Sequence, residues 1–286
     1  MIDNRDFDPN IDNDVLKSFG EEWKEFDYED IELNDDLDLQ FDSYANPIDF
    51  TSFDSGSSIA ADFGAGSGRW TSRILKSFSH VYALEPSEGA FQVLSRKFSS
   101  NSRVTILKES IGKNSIEDAS LDLAMCLGVL HHLPNTSQGI KDIAAKIKPG
   151  GFFLCYLYYK LDDKPLHYRF VFVGANLLRI IISNLPYSWR KLLAKIIAFI
   201  VYLPLAHISR TLFGWGCDTS NFPLHHYANL PFVMMQNDAL DRFGTRLEHR
   251  FSKLEILEML GSSGFDLTTL KFSEKEPYWT FSVVKN

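Results

Sequence analysis

Ser58-Ile59-Ala60-Ala61-Asp62-Phe63, followed by Gly64-Ala65-Gly66-Ser67-Gly68, is the stretch that decides the fold. The first six residues read as a short buried strand, and the next five contain three glycines. Glycine turns the chain tightly and lets backbone approach a ligand with no Cβ in the way. The continuation to Phe78 places Trp70, Ile74, Leu75 and Phe78 at helical spacing. Strand, glycine loop and helix start therefore coincide. The helix is expected to offer free N–H groups and its positive dipole end to the loop. Glu85 closes the next strand-like run, 23 residues after Asp62. A carboxylate there is suited to accept hydrogen bonds from both hydroxyls of a ribose.

The alternation continues outward. Ser87 to Phe98 reads as a helix with Ser87 as its N-cap. Arg103–Glu109 is strand-like, and Leu121–Leu130 is almost continuously apolar. Asn135–Ile147 is helical and stops at Lys148-Pro149-Gly150-Gly151, and Phe152–Tyr159 forms a fifth strand. Ser252–Gly264 reads as a helix, with strands at Phe265–Phe272 and Tyr278–Val284 expected to close the sheet as an antiparallel edge pair. Strands without clean polar alternation, separated by helices, predict a parallel sheet covered on both faces. The fold class is α/β, an open doubly wound Rossmann-like sheet that binds ligands beyond the carboxyl ends of its strands.

A dinucleotide site wants G-x-G-x-x-G/A, whereas Gly64, Gly66 and Gly68 give G-x-G-x-G behind an acid. That spacing suits a nucleoside with an amino-acid tail. A nicotinamide oxidoreductase is the competing enzyme class. The segments Ala61–Gly68 (ADFGAGSG), Tyr82–Ser87 (YALEPS), Leu121–Asn135 (LDLAMCLGVLHHLPN) and Ile147–Phe153 (IKPGGFF) together resemble the class I S-adenosylmethionine-dependent methyltransferases of small molecules. The resemblance covers about residues 58–159 and implies S-adenosyl-L-methionine as cofactor and S-adenosyl-L-homocysteine as product. It implies that Gly64, Ala65, Gly66 and Gly68 pass close to the methionine portion, above Asp62. Glu85 would hold the ribose, Pro86 would pack near the adenine, and Ser110 and Ile111 would lie in the adenine-binding turn. Many relatives carry an acid where Ser110 stands, so here a hydroxyl or a backbone carbonyl is left to receive the adenine amino group. Leu127 would lie beside the sulfonium, with His131 and His132 just beyond.

Between the fifth strand and the last helix lies an insertion outside the α/β rhythm. From Lys164 to Trp215 it has seven bases (Lys164, Arg169, Arg179, Arg190, Lys191, Lys195, Arg210) and no acid, with two apolar helices expected, the second kinked or stopped near Pro204. It reads as a helical cap that packs on the core or on a second copy, or meets anionic lipid, or receives a lipophilic or anionic acceptor. The aromatic, histidine-bearing stretch Asn221–Phe232 suits a small-molecule loop. Asp238–Phe251 concentrates Asp241, Arg242, Arg246, Glu248 and Arg250 as either a salt-bridge network or an arginine clamp. A hydroxyl acceptor needs a general base, and the candidates are His131, His132, His225, His226 and Asp241. His131, His132 and His226 are the catalytic expectation.

The 286 residues are 45% apolar and carry a net charge of −8. Residues 1–58 hold 18 acids against Arg5, Lys17 and Lys24, so an acidic leader precedes a mildly basic body. Its interleaved aromatics favour a docked arm over a solvated tail, one that folds over the cap side to help close the site. Three scattered cysteines argue against disulfides and zinc, and no metal-ligand spacing is present. The N-terminus has no signal-peptide pattern, and the longest near-apolar run, Ile196–Leu203, is short of the ~20 residues that span a bilayer. A cytoplasmic protein is expected, with a membrane-peripheral placement and a homodimer as further alternatives. Nucleic acid is excluded as a partner by the absence of a basic run with interleaved aromatics. The expected layout is an acidic arm (1–57), a cofactor-binding α/β core (58–159), a helical cap for the acceptor (160–250) and a completing helix with edge strands (251–286). The expected activity is methyl transfer to a small-molecule, sugar or lipophilic acceptor. The non-enzyme alternative is a cofactor-binding scaffold that presents the insertion to a membrane or partner.

Overall fold

The computed structural model describes residues 8–25, 35–160, 166–219, 222–273 and 278–286. It divides into two compact units, Met1–Asp162 with Leu247–Asn286, and Asp163–Arg246. The first is built on a seven-stranded sheet of order β3-β2-β1-β4-β5-β7-β6. Its strands are β1 (Ile59–Phe63), β2 (His80–Leu84), β3 (Val104–Leu107), β4 (Leu121–Leu127), β5 (Ile147–Tyr158), β6 (Phe265–Phe272) and β7 (Tyr278–Lys285). β1 to β5 run parallel. β7 inserts antiparallel between β5 and the edge strand β6. The strand order reverses between β1 and β4, which places the crevice of a doubly wound sheet at their carboxyl ends. Both faces of the sheet are covered, so its apolar residues do not alternate. Ala60, Ala61, Leu123, Ala124, Met125 and Cys126 are all fully buried.

The helices of this unit are α1 (Asn13–Glu25), α2 (Asp35–Ala45), α3 (Thr71–Ile74), α4 (Glu88–Phe98) and α5 (Thr136–Lys146), with α10 (Lys253–Ser262) after the insertion. α3 corrects the expected long helix after the glycine loop. Trp70, Ile74, Leu75 and Phe78 are buried as their spacing predicted. The helix itself lasts only four residues, because the chain must turn at Ser77–Ser79 to enter β2. Ser87 stands at the N-cap of α4 but gives no capping bond, its hydroxyl turning back to Glu85 instead.

The leader is docked. α1 lies along α4 at a point where two glycines meet, since a Cβ on Gly89 would come within 1.9 Å of the Gly20 carbonyl oxygen. Phe41 and Tyr44 of α2 pack on Trp70 at 5.7 Å between ring centroids, and Tyr44 stacks on Tyr156. The Ser282 hydroxyl donates to the Pro47 carbonyl, fastening the leader to β7. Phe26, Tyr28 and Leu33 lie outside the described residues.

The second unit holds α6 (Leu166–Ser183), α7 (Tyr187–Ile197), α8 (Leu203–Gly214) and α9 (Phe232–Gly244). A wide helical turn at Ala198–Tyr202 joins α7 to α8. Pro204, lacking an N–H, sits in the first turn of α8, and the wide turn accommodates the lost bond without stopping the rod. The sequence expectation of an interrupted apolar run is thus corrected. Tyr187–Gly214 is one continuous 28-residue helix, long and apolar enough to cross a membrane by length and composition. Ala194, Ala198, Tyr202, Ala206 and Ser209 form its single buried stripe. The seven bases are not one surface either. Arg179 donates to the carbonyls of Thr245 and Arg246 and Arg190 to that of Gly244, all at 2.9 Å. Both guanidiniums therefore sit at the negative end of α9. Arg169, Lys191, Lys195 and Arg210 are exposed, and Lys164 lies outside the described residues.

Gly89→Ala is expected to separate α1 from α4 and to lower stability by about 1–3 kcal/mol, the usual cost of overpacking. Denaturant unfolding, with proteolysis scored at residues 8–25, measures both effects.

Candidate active site

The loop after β1 is held in one conformation by β2. The N–H groups of Gly64 and Ala65 both donate to the Leu84 carbonyl, and that of Gly66 donates to Glu85 at 2.9 Å. Gly64, Gly66 and Gly68 all have positive φ, at 76°, 57° and 78°, which side-chain-bearing residues avoid. Gly68 is small for a second reason: a Cβ there would lie 2.4 Å from the Phe98 ring. The loop N–H groups are thus engaged within the fold, and the expected helix-terminal donors give way to a shaped turn.

Glu85 is 5% exposed and uses both oxygens: one accepts from Gly66, the other from the Ser87 N–H (2.8 Å) and hydroxyl (2.5 Å). Burial pushes its pKa up, against the pull of those hydrogen bonds. Asp62 is 3% exposed under the loop, with the Thr71 hydroxyl donating at 2.7 Å. Burial, reinforced by Glu85, raises its pKa to about 7. Two desolvated carboxylates beneath one cleft favour a cationic ligand that also carries hydroxyls.

Pro86, Ser110 and Ile111 meet Gly64 around a cavity of about 40 Å³, to which Asp8 and Val129 also contribute. The leader reaches this site. Trp23 lies against Gly66, where a Cβ would meet its indole at 3.0 Å, and Arg69 stacks between Trp23 and Trp70. Asp8 was not singled out in the sequence, because a lone acid among 18 carries no periodic signal.

At the end of β4, Leu127 pairs in register with Tyr156, and Gly128 turns the chain at φ 80° into the short helix Leu130–His132. His131 is fully buried and stacked on Tyr158 at 3.9 Å, and neither ring nitrogen makes a hydrogen bond of good geometry. Burial, then His132, Arg250 and His249, hold its pKa well below the usual histidine range against a hydrogen bond to the Tyr156 backbone, so the ring is neutral. His132 packs against Phe19, and its Nδ1 donates to the Leu247 carbonyl at 2.8 Å, which fixes the tautomer because a carbonyl only accepts. His249, missed in the sequence, has its N–H on the His131 carbonyl, while its Nε2 is buried without a partner. Arg250 pairs with Glu248 at 2.8 Å and lies over Tyr158. His226 belongs to the other unit, its ring tilted against Tyr227 at 4.0 Å, its pKa lowered to about 4 by burial and by His225. Asp241 lies on α9 of that unit, within 3.4 Å of the Thr245 hydroxyl. Among the described residues no cluster of His, Cys, Asp and Glu could hold a metal.

A family model described as a methyltransferase domain matches residues 61–153. The chain is similar to a ubiquinone biosynthesis O-methyltransferase of Alkalilimnicola ehrlichii, 24% identical over 46% of this chain and 52% of that one. It is 23% identical to the protein of the same name from Marinobacter nauticus, over 51% of this chain and 63% of the relative. The chain thus spans between about half and two thirds of the curated relatives it matches. Among solved structures, the mitomycin 7-O-methyltransferase MmcR aligns with 15% identity over 85% of this chain and 52% of that one, with a TM-score of 0.49.

Between pH 4 and 7 the folded protein keeps a proton on Asp62 that the unfolded chain has lost. Stability falls as pH rises through that window, by up to about 4 kcal/mol. Asp62→Asn is expected to flatten the decline measured by urea unfolding from pH 5 to 8, leaving the part due to Glu85. The glycine loop, the two acids beneath it and the matched family model make residues 61–153 a class I S-adenosylmethionine-dependent methyltransferase domain.

Proposed function

We propose that the protein moves a methyl group from S-adenosylmethionine to a hydroxyl of a lipophilic small molecule. The buried, doubly hydrogen-bonded Glu85 beneath the glycine loop is the observation that carries the first half. The residues present fit the cofactor. Asp62 and Glu85 favour a cation that bears a ribose, and the left-handed glycines let Val129, Trp23 and Phe98 pack directly on the loop backbone. Pro86 and Ile111 give flat apolar walls to a base. When bound, the cofactor supplies an electrophilic methyl group on a sulfonium, which departs with the C–S electron pair as neutral S-adenosylhomocysteine.

His131 carries the second half. One ring nitrogen faces the Tyr156 backbone and the other is buried without a partner, which calls for an explanation; a neutral imidazole beyond β4 can accept the hydrogen bond of a hydroxyl there. There it orients the oxygen and takes its proton as the new C–O bond forms. Tyr158, stacked on its face, and His132, pinned by Leu247, hold the ring in place. The names of the relatives supply the hydroxyl acceptor class.

The lipophilic character rests on the second unit. Trp189, Leu192, Ile196, Phe199, Ile200, Ile208, Phe213 and Trp215 are more than 40% exposed, interspersed with Lys191, Lys195 and Arg210. A helix that is apolar outside its buried stripe and carries only bases suits the surface of an anionic bilayer. There it would meet an acceptor dissolved in lipid.

Calorimetry is expected to show S-adenosylhomocysteine binding that Glu85→Gln weakens at least ~30-fold, the scale of a lost charged hydrogen-bond pair. A wild-type protein that binds neither cofactor nor product at millimolar concentration sinks the function. His131→Ala is expected to cut methyl transfer, read as a gain of one CH₂ in lipid extracts, by about 10²- to 10⁴-fold while cofactor affinity holds. Vesicles rich in phosphatidylglycerol should float the protein and phosphatidylcholine vesicles should not, with Phe199→Ser and Trp215→Ser lowering the yield. Flotation with neither vesicle, together with a dimer on sizing, assigns that face to a second copy instead.

A further inference from the structure

We propose that α1 and the residues just before it form an autoinhibitory strap, which lies in the space the cofactor needs and leaves before the cofactor binds. The inference rests on the proposed function and adds a regulation of that site. Between Asp8 and Trp23 the arm touches the chain just after each of β1 to β4. Asp8 accepts from the Ser110 hydroxyl, after β3, at 2.6 Å. Asn10 forms a reciprocal pair with Asn135, after β4. Its Nδ2 donates to the Asn135 carbonyl at 2.9 Å, and its Oδ1 accepts from the Asn135 N–H at 2.7 Å. Phe19 lies on His132, also after β4, at 5.0 Å between ring centroids. Gly20 crosses Gly89, after β2, and Trp23 covers Gly66, after β1. With the arm docked in this way, Asp8 and Asn10 leave a slot of about 40 Å³ beside Pro86 and Ile111. That is room for water, whereas sites that take a small molecule hold roughly 300 Å³ or more. The same cleft end does not hold the docked arm and a nucleoside together.

The underside of α1 suits an element that is released. Among the described residues, the side chains it buries are Val15, Ser18 and Glu22, at 6, 5 and 2% exposure. One apolar group is thus joined by a hydroxyl and a carboxylate, whose burial returns little of the free energy that apolar area supplies. A helix with few buried apolar contacts belongs to the part of a fold that opens locally at low cost. α2 is held differently. Phe41, Tyr44 and Ala45 are buried, and the two rings pack on Trp70 and Tyr156. α1 can therefore leave while α2 stays. A ligand that binds only the open form has its affinity lowered in proportion to the fraction of molecules that are open. Weakening a strap of this kind tightens binding, whereas weakening a lid that closes over its ligand loosens it.

The test weakens the strap in the full chain at two points outside the glycine loop and its acids. Gly89→Ala drives a Cβ into the Gly20 carbonyl oxygen, and Asn10→Ala removes the reciprocal pair with Asn135. Both are expected to tighten S-adenosylhomocysteine by about 3- to 30-fold in calorimetry, the range set by an overpacked contact or two lost hydrogen bonds. Its association rate in stopped flow should rise by a similar factor. In the wild type the ligand should speed tryptic cleavage after Lys17, which lies within α1, because binding frees the arm. Weaker binding in both variants, or protection of Lys17 by the ligand, overturns the inference and makes the arm a closing lid. Unchanged affinity and rate in Asn10→Ala, with Lys17 cut faster than in the wild type, also overturn it, since the arm then lies off the route. Should Gly89→Ala unfold, Asn10→Ala, which adds no atoms, decides alone. Absence of binding by the wild type and by both variants overturns the function beneath the inference as well.

Discussion

The bond from the Gly66 N–H to the buried Glu85 carboxylate is the constraint on which the first unit depends. It ties the end of β1 to the end of β2, so the turn after one strand takes its shape from the acid after the other. A charge kept at 5% exposure is costly unless hydrogen-bonded, and the Gly66 and Ser87 donors supply that compensation. The side chain that would hold a ribose is therefore the one that keeps the loop open for it. Local stability and any recognition of a ligand by Glu85 would rest on the same atoms, and Ser87 turns to Glu85 instead of capping α4.

Around that bond the sheet places two kinds of chemistry at neighbouring strand ends. At the ends of β1 and β2 are acids raised in pKa by burial, and beyond β4 is a neutral histidine lowered by burial. The same loss of solvent acts on groups of opposite charge type and leaves both closer to neutral. The first set is suited to a cation and the second to a neutral hydrogen-bond partner.

The core was legible in the sequence because its signals are local. Glycines at fixed offsets, an acid at a strand end and unbroken apolar runs each declare themselves within a few residues, and β1 to β7 fall where those signals lie. α3 was overestimated because helical spacing in Trp70–Phe78 reports which side chains are buried, not how long the helix lasts. The leader was legible as a docked arm through its aromatics, but not in its target. Asp8 on Ser110 and Asn10 on Asn135 join residues more than 100 positions apart, and no window of sequence contains both partners. The seven bases of the insertion looked alike in sequence. Only the position of α9 separates Arg179 and Arg190, bound to its terminal carbonyls, from the exposed bases.

The arm's docking also dictates an order of assembly. Residues 8–25 leave the ribosome before the surfaces they need, α4, Ser110 and Asn135, are made. Until roughly half the chain has emerged, α1 has nothing to lie on, and its contacts carry the full loop-closure cost of distant pairing. A segment synthesised ahead of its own docking surface is thus among the last to settle. Completion of the pocket lined by Asp8 and Ser110 becomes a late event, one that follows rather than guides the folding of the sheet.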